Sequence, residues 1–255
     1  SGLLNGSGKS SDSDVVGAAN TLQNQRAGID LGDATNAGLI AGTAASIEGN
    51  SSITAGGAVK VGSLDAVTTH FHTGVAAGGA VGIGAGVGVT SIDGSNTANI
   101  DGSGSAHITA GSVSISAASN HTLYGKSLAG SAGLALAAEA DVAVLSDNMA
   151  TSAFIDGATL SVTGAIGITA SSTRSIDAEA NGIAVAGLGA AGISDAEADV
   201  GGSVSATIGD GAVAVNIGSS GAKVGSVAVD AYSGDSAEAN ATAVEVLLTT
   251  DGNAF

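Results

Sequence analysis

Five stretches of this chain carry residues that could do chemistry. In "TTHFHTG", His70 and His72 stand two apart, which puts both imidazoles on one face of a strand, where they would share a divalent metal. No third ligand stands beside them, although Asp65 is near in sequence, and a surface pair without metal is the simpler reading. In "SDAEAD", Asp195, Glu197 and Asp199 alternate with alanine, so three carboxylates share one strand face and offer oxygen ligands of the kind calcium takes. Against that stands a solvated polar face that keeps a strand soluble and discourages sideways stacking, which is favoured. Glu139 with Asp141, and Asp177 with Glu179, are the pairs from which a general acid and base would be drawn for sugar cleavage. "GLLNGSGKS" imitates a phosphate loop, but five residues rather than four separate Gly2 from Gly8, and no strand precedes it. It reads as a flexible polar end.

Composition narrows these options. The 255 residues include 42 Gly, two Tyr and three Phe, with no Pro, Cys or Trp. Five aromatics cannot furnish many stacking platforms for a sugar cleft. Six basic residues (Lys9, Arg26, Lys60, Lys126, Arg174 and Lys223) against 23 acidic ones give a net charge of −17, a field that repels phosphate backbones and anionic lipid. Nucleic acid and membrane-surface partners are disfavoured accordingly. Without cysteine there are no disulfides, no thiolate catalysis and no cysteine-ligated metals. No run approaches the roughly 18 apolar residues of a membrane helix. Ser1 and a single methionine, Met149, suggest a processed chain or an excised piece of a longer one. "NGS" at Asn5, "NSS" at Asn50, "NHT" at Asn120 and "NAT" at Asn240 fit the glycosylation pattern, which arises by chance in a chain so rich in Asn, Ser and Thr.

The elements that must position these residues announce themselves by repetition. "AASIEGNS", "TANIDGSG", "SAFIDGAT" and "SATIGDGA" centre on Ile47, Ile100, Ile155 and Ile208, which are 53, 55 and 53 residues apart. After each landmark comes a block of period two: Val59 and Val61, Val113 and Ile115, Ile166 and Ile168, Val227 and Val229. That period marks strands, and the absence of proline fits a chain hydrogen-bonded strand by strand. In "VGIGAGVGV", Val81, Ile83, Ala85, Val87 and Val89 point one way and four glycines the other, leaving one face nearly bare backbone. "AEA", centred on Glu139, Glu179, Glu197 and Glu238, hints at a shorter subdivision of about 20 residues.

Identical strands at fixed intervals stack most naturally on their own copies, parallel and in register. The expected fold is all-β: an elongated parallel β-solenoid over residues 44–255, preceded by an irregular or capping segment over 1–43. Gly49, Gly102 and Gly157 are expected at its corners, where backbone of positive φ turns the chain.

The blocks "ITAGSVSISAAS" and "IDGATLSVTGAIGITASS" resemble the repetitive passengers of large bacterial exoproteins, the filamentous-haemagglutinin-like and autotransporter-type adhesins. The resemblance covers Ala44 to Val246 by texture and period. It implies a right-handed β-helix, export across an outer membrane, an extracellular or cell-surface location, and work in adhesion or biofilm contact with a receptor the sequence does not name. No secretion domain or membrane barrel is recognisable in the chain. The functional expectation is a structural and adhesive stalk with no catalytic residues, no metal and no cofactor. A self-assembling filament or sheath subunit is the alternative, and a polysaccharide-degrading β-helix a lesser one.

Overall fold

The computed structural model describes residues 39–209, 213–218 and 223–248. Among them every regular element is a strand: β1 (Leu39–Glu48), β2 (Ser52–Thr54), β3 (Ala58–Ala110), β4 (Ser112–Val162), β5 (Ala165–Ala186), β6 (Gly189–Val200), β7 (Val204–Ile208), β8 (Asn216–Ile217), β9 (Ser226–Ser233) and β10 (Ser236–Leu247). All pair in parallel within one sheet. Its central path is β1-β3-β4-β5-β10, with β2 on β3, with β6, β7 and β8 on β4, and with β9 on β5. The strands thus form superposed layers, each pairing with the layer one repeat further along the chain.

Partners are one repeat apart in sequence. Ile47 pairs with Ile100, Ile100 with Ile155, and Ile155 with Ile208, so the four landmarks form one column. Val59, Val113, Ile166 and Val227 form a second, and Val61, Ile115, Ile168 and Val229 a third. No described pairing has the 20-residue spacing suggested by "AEA". Glu139 faces the interior while Glu197 and Glu238 are exposed, so the tripeptide marks no equivalent position. The phosphate-loop mimic and most of the expected N-terminal segment lie outside the described residues, and β1 already begins at Leu39.

A straight strand of 53 residues would run about 175 Å. β3 instead doubles back on itself. Phe71 and Gly88 both belong to it, yet a Cβ added to Gly88 would lie 2.0 Å from Phe71 Cε2. The path runs outward from Ala58, shifts register between Gly79 and Val81, and returns to a second shift between Asp101 and Ala106. β4 follows the same course above it.

The width of this path is set by side-chain volume. At the broad end Ile100, Ile108, Ile115, Ile155, Leu160, Ile166 and Ile168 form the largest core. Midway, Ile92, Leu123, Leu145, Met149 and Ile176 fill a narrower one, and toward the tip only Ala137, Ala184 and Ala186 remain. The glycines of "VGIGAGVGV" face inward and the valines outward, because the two limbs nearly touch there. A Cβ on Gly82 would come within 2.4 Å of the Ala132 carbonyl oxygen, and one on Gly84 within 2.7 Å of that of Gly130. Only a residue without a side chain fits that gap.

The expected corners hold at two positions and differ at the third. Gly49 (φ +65°) and Gly157 (φ +54°) adopt the left-handed backbone. Gly102 does not, and Ser103 (φ +46°) with Gly104 (φ +89°) makes that turn instead. The reason is an insertion: between the pairs Asp101–Asp156 and Ala106–Ala158, residues 102–105 all lie opposite the lone Gly157. Gly102 is needed for room, since its Cβ would fall 2.5 Å from the Gly157 carbonyl oxygen.

Gly157→Val combines disfavoured φ with a Cβ 2.5 Å from the Gly104 nitrogen, and should cost at least about 2 kcal/mol, or about 5 °C of melting temperature. Gly167→Val, on open outer backbone with nothing within 4 Å, should leave melting unchanged or slightly raised. Equal melting of the two variants would show that the left-handed turn carries no strain.

Candidate functional site

The strand alternation that buries Phe71 against the middle core turns His70 and His72 outward, as their spacing predicts. Tyr124 of the next layer lies beside both, its ring centroid 5.9 Å from His70 and 5.5 Å from His72. Asp65 does not join them. It points into the interior toward His121. Asp195, Glu197 and Asp199 are all exposed on the outer face of β6, in register with Val142, Val144 and Ser146. A surface groove of about 350 Å³ passes Glu197 and Asp199 and is lined by Val89, Val144, Ser146 and Asn148. Among the described residues no group of three or more His, Asp or Glu is placed to hold a metal ion. Asn50, Asn120 and Asn240 are exposed, and Asn5 lies outside the described residues.

Of the two carboxylate pairs, Asp177 and Glu179 lie side by side on the outer face of β5 rather than across a cleft. Lys126 Nζ donates to Glu179 Oε1 at 2.8 Å and Asn181 Nδ2 to the same oxygen at 2.6 Å, and these bonds hold its carboxyl below the usual range. Asp177 is pushed up by burial and by its neighbours Glu238 and Glu179. The other pair is enclosed between the limbs. Asp141 is raised by burial, against which hydrogen bonds from the Ser127 hydroxyl and from the Asn181 N–H at 2.6 Å pull it back.

Glu139 has no such relief. It is 1% exposed and neither of its oxygens has a hydrogen-bond partner. It fits only because the facing positions of the next layer are Gly182 and Gly192, where a Cβ would fall 1.9 Å and 2.4 Å from Oε1. Burial, followed by the charges of Asp141 and Glu245, pushes its carboxyl up to about 7.

Between the tip and the broad core lies a buried polar ladder that runs from β3 through β4 and β5 to Asp235. His121 and Arg174 are in-register partners, so two basic groups stack directly. Asp147, from the returning limb of the His121 layer, separates them. A carboxylate only accepts, so His121 Nδ1–H donates to Asp147 Oδ2, at 2.6 Å, while Arg174 Nη1 lies 3.6 Å from Asp147 Oδ1. Below, Asp65 Oδ2 lies 3.9 Å from His121 Nε2. Above, Arg174 Nη2 donates to Asp235 Oδ2 at 2.8 Å, and its backbone N–H donates to Oδ1 at 3.0 Å. Burial would raise the Asp235 carboxyl, but its bonds from Arg174 and Ser233 outweigh that and lower it to about 2. Arg174 also donates to the backbone carbonyls of Asp147, Met149 and Gly201. The ladder therefore runs acid, base, acid, base, acid from Asp65 of β3 to Asp235, between β9 and β10.

Sequence reasoning missed this ladder. His121 stood out only as the middle of "NHT", and Arg174 only as one of six cations. The signal was present, since the two are 53 residues apart, the repeat spacing itself. In comparisons with known proteins, no family model, no curated protein and no solved structure matches this chain.

Two outcomes follow from the enclosed charges. Arg174→Met leaves Asp147 and Asp235 without their shared partner and should lower unfolding stability by about 3–5 kcal/mol, read from the denaturant midpoint. For Glu139 the folded value, about 7, exceeds the ordinary glutamate value of 4.5, so the folded chain holds the proton more tightly. The resulting stabilisation is complete below pH 4.5 and is lost as pH rises through 7, by about 3 kcal/mol. Glu139→Gln should flatten that slope and be the more stable protein at pH 8. Parallel pH profiles for the two proteins would contradict the assignment.

Proposed function

We propose that this chain is a segment of a parallel β-solenoid serving as a structural and adhesive shaft of an exported bacterial surface protein. The observation that supports it best is the in-register stacking of successive repeats, in which Ile47, Ile100, Ile155 and Ile208 are consecutive partners. Each layer templates the next, and each layer adds about 4.8 Å to the length. Stiffness comes from continuous rows of parallel hydrogen bonds, and the interior ladder adds a resistance to slippage between layers.

The outer surface suits contact rather than turnover. It is a set of flat strand faces carrying hydroxyls, amides and an excess of acid, without a deep cleft among the described residues. The acids of β6 keep one face hydrated. The texture shared with filamentous-haemagglutinin-like and autotransporter-type passengers supports export and adhesion.

The purified chain is expected to give a circular dichroism spectrum dominated by strand and, by small-angle scattering, an elongated particle. Beads coated with it are expected to stay on host matrix or bacterial biofilm under flow that removes beads coated with albumin. A helical spectrum would sink the solenoid. An elongated particle whose beads wash off with the albumin control would reduce the role to that of a spacer.

A further inference from the structure

The narrow end of the layers encloses an acid that the packing leaves without a partner. Glu139 of β4 points between the two limbs, is 1% exposed, and has no hydrogen bond at either oxygen. Its in-register neighbours are Gly84 of β3 and Gly192 of β6, and Gly182 of β5 closes the slot from the opposite limb. None of these titrates. The charged groups that act on Glu139 are Asp141 of β4 and Glu245 of β10, both of them acids. Among the described residues no cation pairs with any of the three. The Gly192 N–H is already taken, donating to Glu245 Oε1 at 2.8 Å.

The slot has two fixed ends and a weak middle. On the side of the larger cores the limbs are pinned at Asp141. There the Thr73 hydroxyl donates to the Ser127 hydroxyl at 2.9 Å, Ser127 donates to Asp141 Oδ1, and the Asn181 N–H donates to Oδ2 at 2.6 Å. At the other end the chain turns back through the tip, where the register shifts between Gly79 and Val81. Between these ends the buried apolar cluster is Ala137, Ala184 and Ala186, side chains that bury little area each. The rows of backbone hydrogen bonds run from layer to layer and not from limb to limb. The limbs can therefore part here without breaking them. A carboxylate shut away from water without a hydrogen bond is costly, and admitting water to it forfeits only alanine contacts.

We infer that this slot is a proton-operated gate: with Glu139 protonated the limbs stay closed, and once it is ionised they part locally between the Asp141 pin and the tip, while the larger cores stay folded. Burial and the two neighbouring acids hold the closed carboxyl at about 7 against an ordinary 4.5. Opening returns the group to water, so it becomes more favourable by about tenfold for each pH unit between these values and levels off above 7. The gate stands on the packing of the tip and does not depend on what the shaft contacts.

The chain has no cysteine, so a single thiol can report access to the slot. In the full chain, Ala184→Cys places one in the slot and Ala170→Cys one in the broad core, both at positions 0% exposed. Labelling by dithiodipyridine is measured against the unfolded chain at the same pH. Protection of the thiol at 184 is expected to fall at least about 30-fold between pH 4.5 and 8 and to level off above 7. Adding Glu139→Gln should keep that protection nearly constant across the range. At pH 8 the thiol at 184 should be at least about tenfold less protected than the thiol at 170, the mark of local rather than global opening. A flat profile at 184 would overturn the gate, as would an equal fall in the presence of Glu139→Gln. Equal protection of the two sites at pH 8 would overturn it too, because only unfolding of the whole chain exposes both alike. Should Ala184→Cys lose the strand spectrum, Ala186→Cys, also 0% exposed, serves for the same measurement with the same outcomes.

Discussion

Parallel hydrogen bonding between residues about 53 positions apart is the constraint on which everything else in this molecule depends. A strand paired in register hands its inward and outward faces to the strand above, so every column must keep one character through all the layers. That explains why aliphatics recur at the repeat spacing and why proline, which cannot donate to a ladder, is absent from the chain. It also explains where length variation goes. Extra residues are confined to places where pairing lapses, as at the corner where 102–105 lie opposite Gly157. Anywhere else a single insertion would exchange the two faces of the strand.

Within that frame the cross-section is graded by volume, from isoleucine through alanine to glycine. Hydrophobic burial therefore varies greatly along each layer. The broad end supplies most of the apolar stabilisation, while the tip is held mainly by backbone hydrogen bonds and close contact between limbs. Polar side chains occupy the space between. Asn96 Nδ2 donates to the Ala118 carbonyl at 2.6 Å, and the Ser119 and Thr151 hydroxyls meet at 2.8 Å, tying the two limbs of the path together.

The buried ladder from Asp65 to Asp235 is costly, because each charge has left water. Its arrangement nonetheless opposes slippage. Sliding one layer by two residues would preserve the inward and outward faces and much of the apolar packing, but would part Arg174 from Asp147 and Asp235. Such networks contribute more to uniqueness of register than to net stability. Glu139 is the opposite case, an acid enclosed without partners that destabilises the thin arch at neutral pH. Nothing in the packing compensates it, and the arch tolerates it because glycines face it.

The sequence by itself determined the repeat, the strand class and the columns, since period-two alternation and spacing are properties of the chain alone. Ile155 was legible as a core residue, and Gly49 and Gly157 as left-handed corners, because a turn between strands leaves a local signature. The outward placement of His70, His72, Asp195, Glu197 and Asp199 follows from the same alternation. What only the tertiary structure decided is which residues meet across a layer. The path doubles back within a single strand, so contacts such as His121 with Asp147 depend on where the tip falls, and no local pattern states that. The same folding back sends the glycines of "VGIGAGVGV" inward and makes Ser103 and Gly104, rather than Gly102, turn the second corner. Alternation assigns residues to two faces, but only the approach of the opposite limb decides which face has room for a side chain.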